Sequence, residues 1–217
     1  MGQGVDGRFQ GMELNILPGF QTTWERCVSA HPDTRILDKK GAYRSDTYGR
    51  YYADCRPGIL GQKHGDLRLY AKDLVVGVNI NGRAKAYHFD ELGLTPVLND
   101  VVNWVSLVVI FDDDSDTGVV FSPTVDGKHL NVRELQASGE FLTEDLETES
   151  VWEPLTWVAW EGPLAGARLE QVASHYEFWF CVEGLSSVDG TVSERRDGEY
   201  FSLSTDIRTL GIMQSLG

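Results

Sequence analysis

From Leu74 onward the apolar positions come in short alternating or continuous runs bounded by turn residues, a pattern that predicts strands rather than helices. Leu74-Val-Val-Gly-Val-Asn-Ile and Arg83-Ala-Lys-Ala-Tyr-His-Phe flank Asn81-Gly82. An Asn-Gly between two such segments predicts a tight hairpin, because both residues accept the left-handed backbone that the turn needs. Trp104-Val-Ser-Leu-Val-Val-Ile-Phe predicts a buried strand, with Gly118-Val-Val-Phe-Ser as its partner and the acidic run Asp112 to Asp116 as the turn between them. Asp126-Gly127 marks a further hairpin between Ser122-Pro-Thr-Val and His129-Leu-Asn-Val. Strands are also expected near Val158 to Trp160 and Ala167 to Val172, joined through Gly162-Pro-Leu-Ala-Gly.

Before this strand-rich stretch, one helix is expected from about Thr23 to His31. Thr22 and Glu25 have capping-box spacing, and Pro32 ends the helix. The stretch from Asp38 to Asp66 mixes Gly, Asp and Arg with Tyr43, Tyr48, Tyr51 and Tyr52, and reads as an irregular loop. His175-Tyr-Glu-Phe-Trp-Phe reads as an aromatic segment covering the core. Closely spaced hairpins with an early helix predict an α+β fold, mostly antiparallel β-sheet or barrel-like with few helices. The expected organisation is one β-rich domain over residues 1–181 and a polar, loosely ordered tail over 182–217.

Composition narrows the function classes. The chain of 217 residues has 33 acidic against 19 basic residues, a formal charge of −14. Such a surface repels phosphate backbones, so neither nucleic acid nor an anionic membrane is expected as a partner, while a divalent cation or a small molecule is. No apolar run approaches the ~18 residues of a spanning helix, and the N-terminus lacks signal-peptide character. A cytoplasmic protein, or a secreted one after signal removal, is therefore expected. Cys27, Cys55 and Cys181 are far apart and form no Cys-x-x-Cys, which argues against both a zinc framework and a disulfide scaffold. The chain also lacks a Gly-x-Ser-x-Gly elbow, a Gly-rich phosphate loop and a His-Glu-x-x-His metal motif.

Several phrases carry a family resemblance: Phe20-Gln-Thr-Thr-Trp, His31-Pro-Asp-Thr, Gly82-Arg-Ala-Lys-Ala-Tyr, Val97-Leu-Asn-Asp, Thr124-Val-Asp-Gly, Glu147-Thr-Glu-Ser-Val-Trp and Gly162-Pro-Leu-Ala-Gly. In this order they resemble a bacterial family of unknown function whose hallmark is a Tyr-Cys-Pro-Leu-Cys box. Asp112 and Ser115 stand where that box would place its cysteines, and Trp157 stands where the family tends to carry glycine. The resemblance implies a shared fold and transfers no chemistry, since the thiols of the box are replaced.

Three clusters are candidate sites. Asp112, Asp113, Asp114 and Asp116 crowd carboxylates onto one turn and could hold a divalent metal, Ca²⁺ first and Zn²⁺ second; the plain alternative is a solvated hairpin tip. His88, as base or metal ligand, with Asp100 to orient it, could act at one end of a sheet, close to Asn99 as a substrate-binding group. Thr148, Ser150 and Trp152, in the phrase that begins at Asp145, could form the wall of a small polar site. Two functions follow. One is a metal-dependent hydrolase of a small ester or lactone, in which the cation polarises the carbonyl and activates water. The other is a non-catalytic ligand- or protein-binding module presenting Tyr43 to Tyr52 and Trp152.

Overall fold

The computed structural model describes residues 3–38, 40–41, 48–54, 56–58, 68–137, 140–182, 194–196 and 199–201. Its centre is the apolar run foreseen in the sequence, strand β4 (Val105–Asp112), buried without interruption from Leu107 to Asp112. A strand buried on both faces needs a layer on each side. β4 pairs antiparallel with β3 (Val97–Val102) and β5 (Thr117–Ser122), and β12 (Glu170–Gln171) completes a sheet of order β12-β5-β4-β3. Because side chains alternate across a strand, Leu107, Val109 and Phe111 enter one core, and Val108 and Ile110 enter another.

The first core lies under a sheet of order β13-β1-β2, made of β1 (Leu74–Ile80), β2 (Arg83–His88) and β13 (Ser174–Phe178). Helix α3 (Phe89–Leu94) adds Phe89 and Leu92, with the Phe89 ring edge-on to Phe111 at 4.8 Å between centroids. Gly118 permits the close approach of the two sheets: a Cβ there would sit 2.3 Å from Val76 Cγ2. The second core lies under a sheet of order β11-β10-β9-β8, from β8 (Val132–Ala137), β9 (Glu140–Asp145), β10 (Val151–Trp152) and β11 (Ala159–Glu161). On the outer side of β1 and β2, Val75 and Ala86 meet Leu69 and helix α4 (Trp179–Val182). Helices α1 (Trp24–Ala30) and α2 (Gly49–Ala53) and the paired short strands β6 (Thr124–Val125) with β7 (Lys128–His129) and β14 (Glu194–Arg196) with β15 (Glu199–Phe201) are the other α-helices and strands among the described residues, with 3-10 turns at Gly7–Phe9 and Asp113–Ser115. The class is α+β, dominated by antiparallel strands.

The hairpin at Asn81-Gly82 forms as its sequence requires, with φ of 51° and 86° and Asn79 Oδ1 accepting the Gly82 amide at 2.9 Å. Two expectations are corrected. Trp104 does not open the strand: Asn103 and Trp104 form the β3–β4 turn at φ of 47° and 67°, so a tryptophan holds a place that favours glycine. The cap of α1 is Thr23, whose Oγ1 accepts the Arg26 amide; Thr22 is engaged elsewhere, so the Thr22–Glu25 capping box does not form. Within the stretch read as loop, Gly49–Ala53 is helical, while Tyr43, Cys55 and His64 lie outside the described residues. Apart from β14 and β15, the polar tail beyond Val182 also lies outside them.

Trp157 carries the largest local conflict. Its φ is 48°, yet the residue is fully buried, stacked on Trp152 at 5.7 Å and close to Phe121 at 5.0 Å, with Nε1 donating to the Pro154 carbonyl at 2.7 Å. The glycine that the resemblance leads one to expect here would relax the backbone and leave the core unfilled. Trp157→Ala is expected to cost about 3–5 kcal/mol by loss of packing. Trp157→Gly is expected to be about 1 kcal/mol less harmful than the alanine variant, because it removes left-handed strain. Urea unfolding of the two variants measures the difference, and a glycine variant less stable than the alanine variant contradicts the strain argument.

Candidate functional site

The acidic turn separates into one inward carboxylate and three outward ones. Asp112 is buried, and its Oδ2 accepts from Arg26 Nε at 2.9 Å, Arg26 Nη2 at 2.7 Å and the Ser115 hydroxyl at 2.8 Å. Ser115 and Thr117 hydroxyls meet at 2.7 Å, and Thr117 Oγ1 donates to Thr22 Oγ1 at 2.8 Å. Together these contacts fasten α1 and the segment before it to the β4–β5 turn. Asp113, Asp114 and Asp116 are exposed, and Asp116 takes a left-handed backbone at φ 48° to close the turn. Asp112 therefore spends its buried oxygen on a guanidinium, and the four carboxylates do not converge. Among the described residues no group of three or more His, Cys, Asp or Glu side chains is gathered as a metal site needs. The donor set at this turn does not fit a Ca²⁺ or Zn²⁺ centre, which would require several oxygens or nitrogens on one point.

The structure does not join His88 to Asp100. Lys85 and Tyr87, two residues apart on β2, project toward β3, whereas His88 lies one position on, toward the opposite face. Asp100 Oδ2 accepts from the Tyr87 hydroxyl at 2.8 Å and pairs with Lys85 Nζ at 2.5 Å. Asp73 lies near His88, its carboxylate 3.7 Å from Nε2. Burial raises the Asp100 pKa, but hydrogen bonds from Lys85 and Tyr87 and the Lys85 charge outweigh it and hold the carboxyl below its usual value. Burial, reinforced by the Asp100 charge, pushes the Tyr87 phenol well above its ordinary range. Asn99 is also engaged: its side chain donates to the Val132 carbonyl at 2.6 Å and accepts the Val132 amide at 3.0 Å, joining β3 to β8 as a peptide group would.

The structure does bring Thr148, Ser150 and Trp152 together, around the buried carboxylate of Asp145. Asp145 accepts from the Thr148 amide at 2.6 Å, the Thr148 hydroxyl at 2.9 Å and Trp152 Nε1 at 3.0 Å. Ser150 Oγ lies 2.7 Å from Thr148 Oγ1 and accepts the Leu164 amide at 3.0 Å. Gly162, at φ 93°, closes the cluster, since a Cβ there would meet Ser150 Cα at 2.6 Å. Trp152 is fully buried, so it forms core rather than a presented surface.

An open cleft of about 210 Å³ lies between α1 and the turn after β10, lined by Arg26, Ser29, Ala30, Glu153, Leu155 and Thr156. Arg26, Ser29 and Ala30 share one helix face by their three- and four-residue spacing. Glu153 Oε2 accepts from the Leu155 amide at 3.2 Å and the Thr156 amide and hydroxyl at 2.5 and 2.6 Å. Both charged walls are thus fixed, one by Asp112 and one by Thr156. The sequence offered no sign of this pairing, because Arg26 and Glu153 belong to elements far apart along the chain. The Lys85–Tyr87 pair, by contrast, was readable as two polar residues on one strand face.

Stacked antiparallel sheets joined by closed polar clusters define an α+β domain with an open polar recess beside α1. The chain belongs to the family described as Protein of unknown function (DUF3179), whose family model matches residues 1–185. No curated protein and no solved structure matches it. No helix among the described residues is long and apolar enough to cross a membrane.

Two variants measure the Arg26–Asp112 lock. Arg26→Ala is expected to cost about 2–4 kcal/mol, because it strands a buried carboxylate, with partial solvent access to Arg26 favouring the lower end. Asp114→Ala is expected to stay within about 0.5 kcal/mol in the same urea titration; equal losses in both would refute the division of the turn. Asp100 has a depressed folded pKa, so its stabilisation is present above the unfolded carboxyl pKa of about 3.9 and is lost as pH falls through the lower folded value. Asp100→Asn is expected to flatten the acid limb of the stability–pH curve measured from pH ~6 to ~2. An unchanged limb would rule out this contribution.

Proposed function

We propose that the chain is a non-catalytic binding module whose ligand is a small molecule carrying both signs of charge, of amino-acid size. The observation that carries this reading is the pair of fixed, opposite charges across the cleft, Arg26 on α1 and Glu153 on the β10 turn. Arg26 Nη1 and Glu153 Oε1 make no hydrogen bond among the described residues, which leaves a donor for a carboxylate and an acceptor for an ammonium group. Ala30 and Leu155 supply apolar contact, and Ser29 supplies a hydroxyl at the rim. Walls already held in place lose little freedom when a ligand enters. The volume lies below the ~300 Å³ at which drug-sized sites begin, so it favours few heavy atoms.

The competing proposal is a divalent-metal-dependent hydrolase of a small ester or lactone, in which a bound cation would draw together the exposed carboxylates Asp113, Asp114 and Asp116 that stand apart here. One set of measurements separates the two. Calorimetric titration with small zwitterions, amines and carboxylates is expected to give saturable binding only for zwitterions, unaffected by chelator. Ser29→Trp, at an exposed rim position, is expected to abolish binding while leaving the melting temperature unchanged. Absence of binding by any zwitterion would reject the module, and ester or lactone turnover abolished by chelator would favour the hydrolase.

A further inference from the structure

The segment from Val5 to Leu17 exposes six large apolar residues, Val5, Phe9, Met12, Leu14, Ile16 and Leu17, with exposures from 52% at Phe9 and Ile16 to 89% at Val5. Six large apolar side chains exposed within thirteen residues are more than scattered surface hydrophobes, and such concentrations mark interaction sites. The segment folds back on itself through an antiparallel bridge between Gln3 and Glu13, with the Gly4 amide donating to the Met12 carbonyl at 2.8 Å. That single bridge uses one edge of the segment. The backbone groups of Glu13 and Asn15 make no backbone hydrogen bonds among the described residues and face the other edge, the template to which a second strand adds.

We propose that this arm is a homodimer interface, in which it pairs antiparallel with the same arm of a second copy about a two-fold axis at Leu14. The pattern is self-complementary, as an isologous contact requires. Pairing centred on Leu14 sets Leu14 against Leu14 of the second copy and Met12 against its Ile16, all on one face. Glu13 then faces Asn15 and not another Glu13, so no like charges are directly opposed. Between residues 3 and 20 the arm carries only Asp6, Arg8 and Glu13 as charges, so it is the part of a −14 chain where two copies approach with least repulsion. This interface is separate from the Arg26 cleft and does not depend on what that cleft binds.

Sedimentation equilibrium of the full chain is expected to show a dimer, and Leu14→Asp a monomer that keeps the wild-type far-ultraviolet circular dichroism, since the side chain is 75% exposed within one copy. In a background with Cys27, Cys55 and Cys181 replaced by serine, Leu14→Cys is expected to form a covalent dimer on mild oxidation. Glu13→Cys is expected not to, because its symmetry mate lies beyond the ~7 Å Cα limit of a disulfide. A wild-type monomer at the highest soluble concentration overturns the proposal. So does a dimer that survives Leu14→Asp, or cross-linking at Glu13→Cys as fast as at Leu14→Cys.

Discussion

The constraint on which the architecture rests is that β4 has no solvent-facing side along Leu107 to Asp112. A strand with apolar residues on both faces exposes a hydrophobic surface wherever it is left uncovered, so two further layers must be recruited. The two larger sheets on either side answer that demand. The β13-β1-β2 sheet covers Leu107, Val109 and Phe111, and the β11-β10-β9-β8 sheet covers Val108 and Ile110. Gly118 sets the spacing on the first side, and the Trp152–Trp157 stack fills the second.

Polar residues inside these layers act as connectors. Arg26 ties α1 to the end of β4, Asn99 ties β3 to β8, and Tyr87 and Lys85 tie β2 to β3 through Asp100. Buried Asp112 and Tyr87 and half-buried Asp100 each have a hydrogen-bond partner, the state in which burial of polarity becomes tolerable. That arrangement also explains why functional candidates were hard to separate from structural ones: Asp112, Asn99, Asp100 and Asp145 each hold two elements together. The recess beside α1 differs, because its charges are fixed by neighbours while retaining unused hydrogen-bonding capacity.

Much of the fold was legible in the residues. Continuous apolar runs located β4 and β5, and Asn81-Gly82 and Asp126-Gly127 located hairpins, because these signals are local. The β8–β9 pair was not foreseen, since Val132-Arg-Glu-Leu-Gln-Ala mixes charge with few apolar positions and becomes a strand by pairing. Trp104 and Trp157 were hidden for another reason: each occupies a left-handed position that composition assigns to glycine. Of the candidate site, the Thr148–Ser150–Trp152 cluster was visible because its members are neighbours in the chain. The Arg26–Asp112 lock spans 86 residues and has no local trace.

The paired indoles of Trp152 and Trp157 have an optical consequence. Held 5.7 Å apart, these chromophores are close enough for their electronic transitions to couple, and a circular-dichroism couplet then arises from the skew between the two transition dipoles. The couplet depends on distance and mutual angle, so it vanishes when the second core loosens even if the strands persist. The chain therefore contains its own spectroscopic gauge of that core, independent of any ligand and needing no added label.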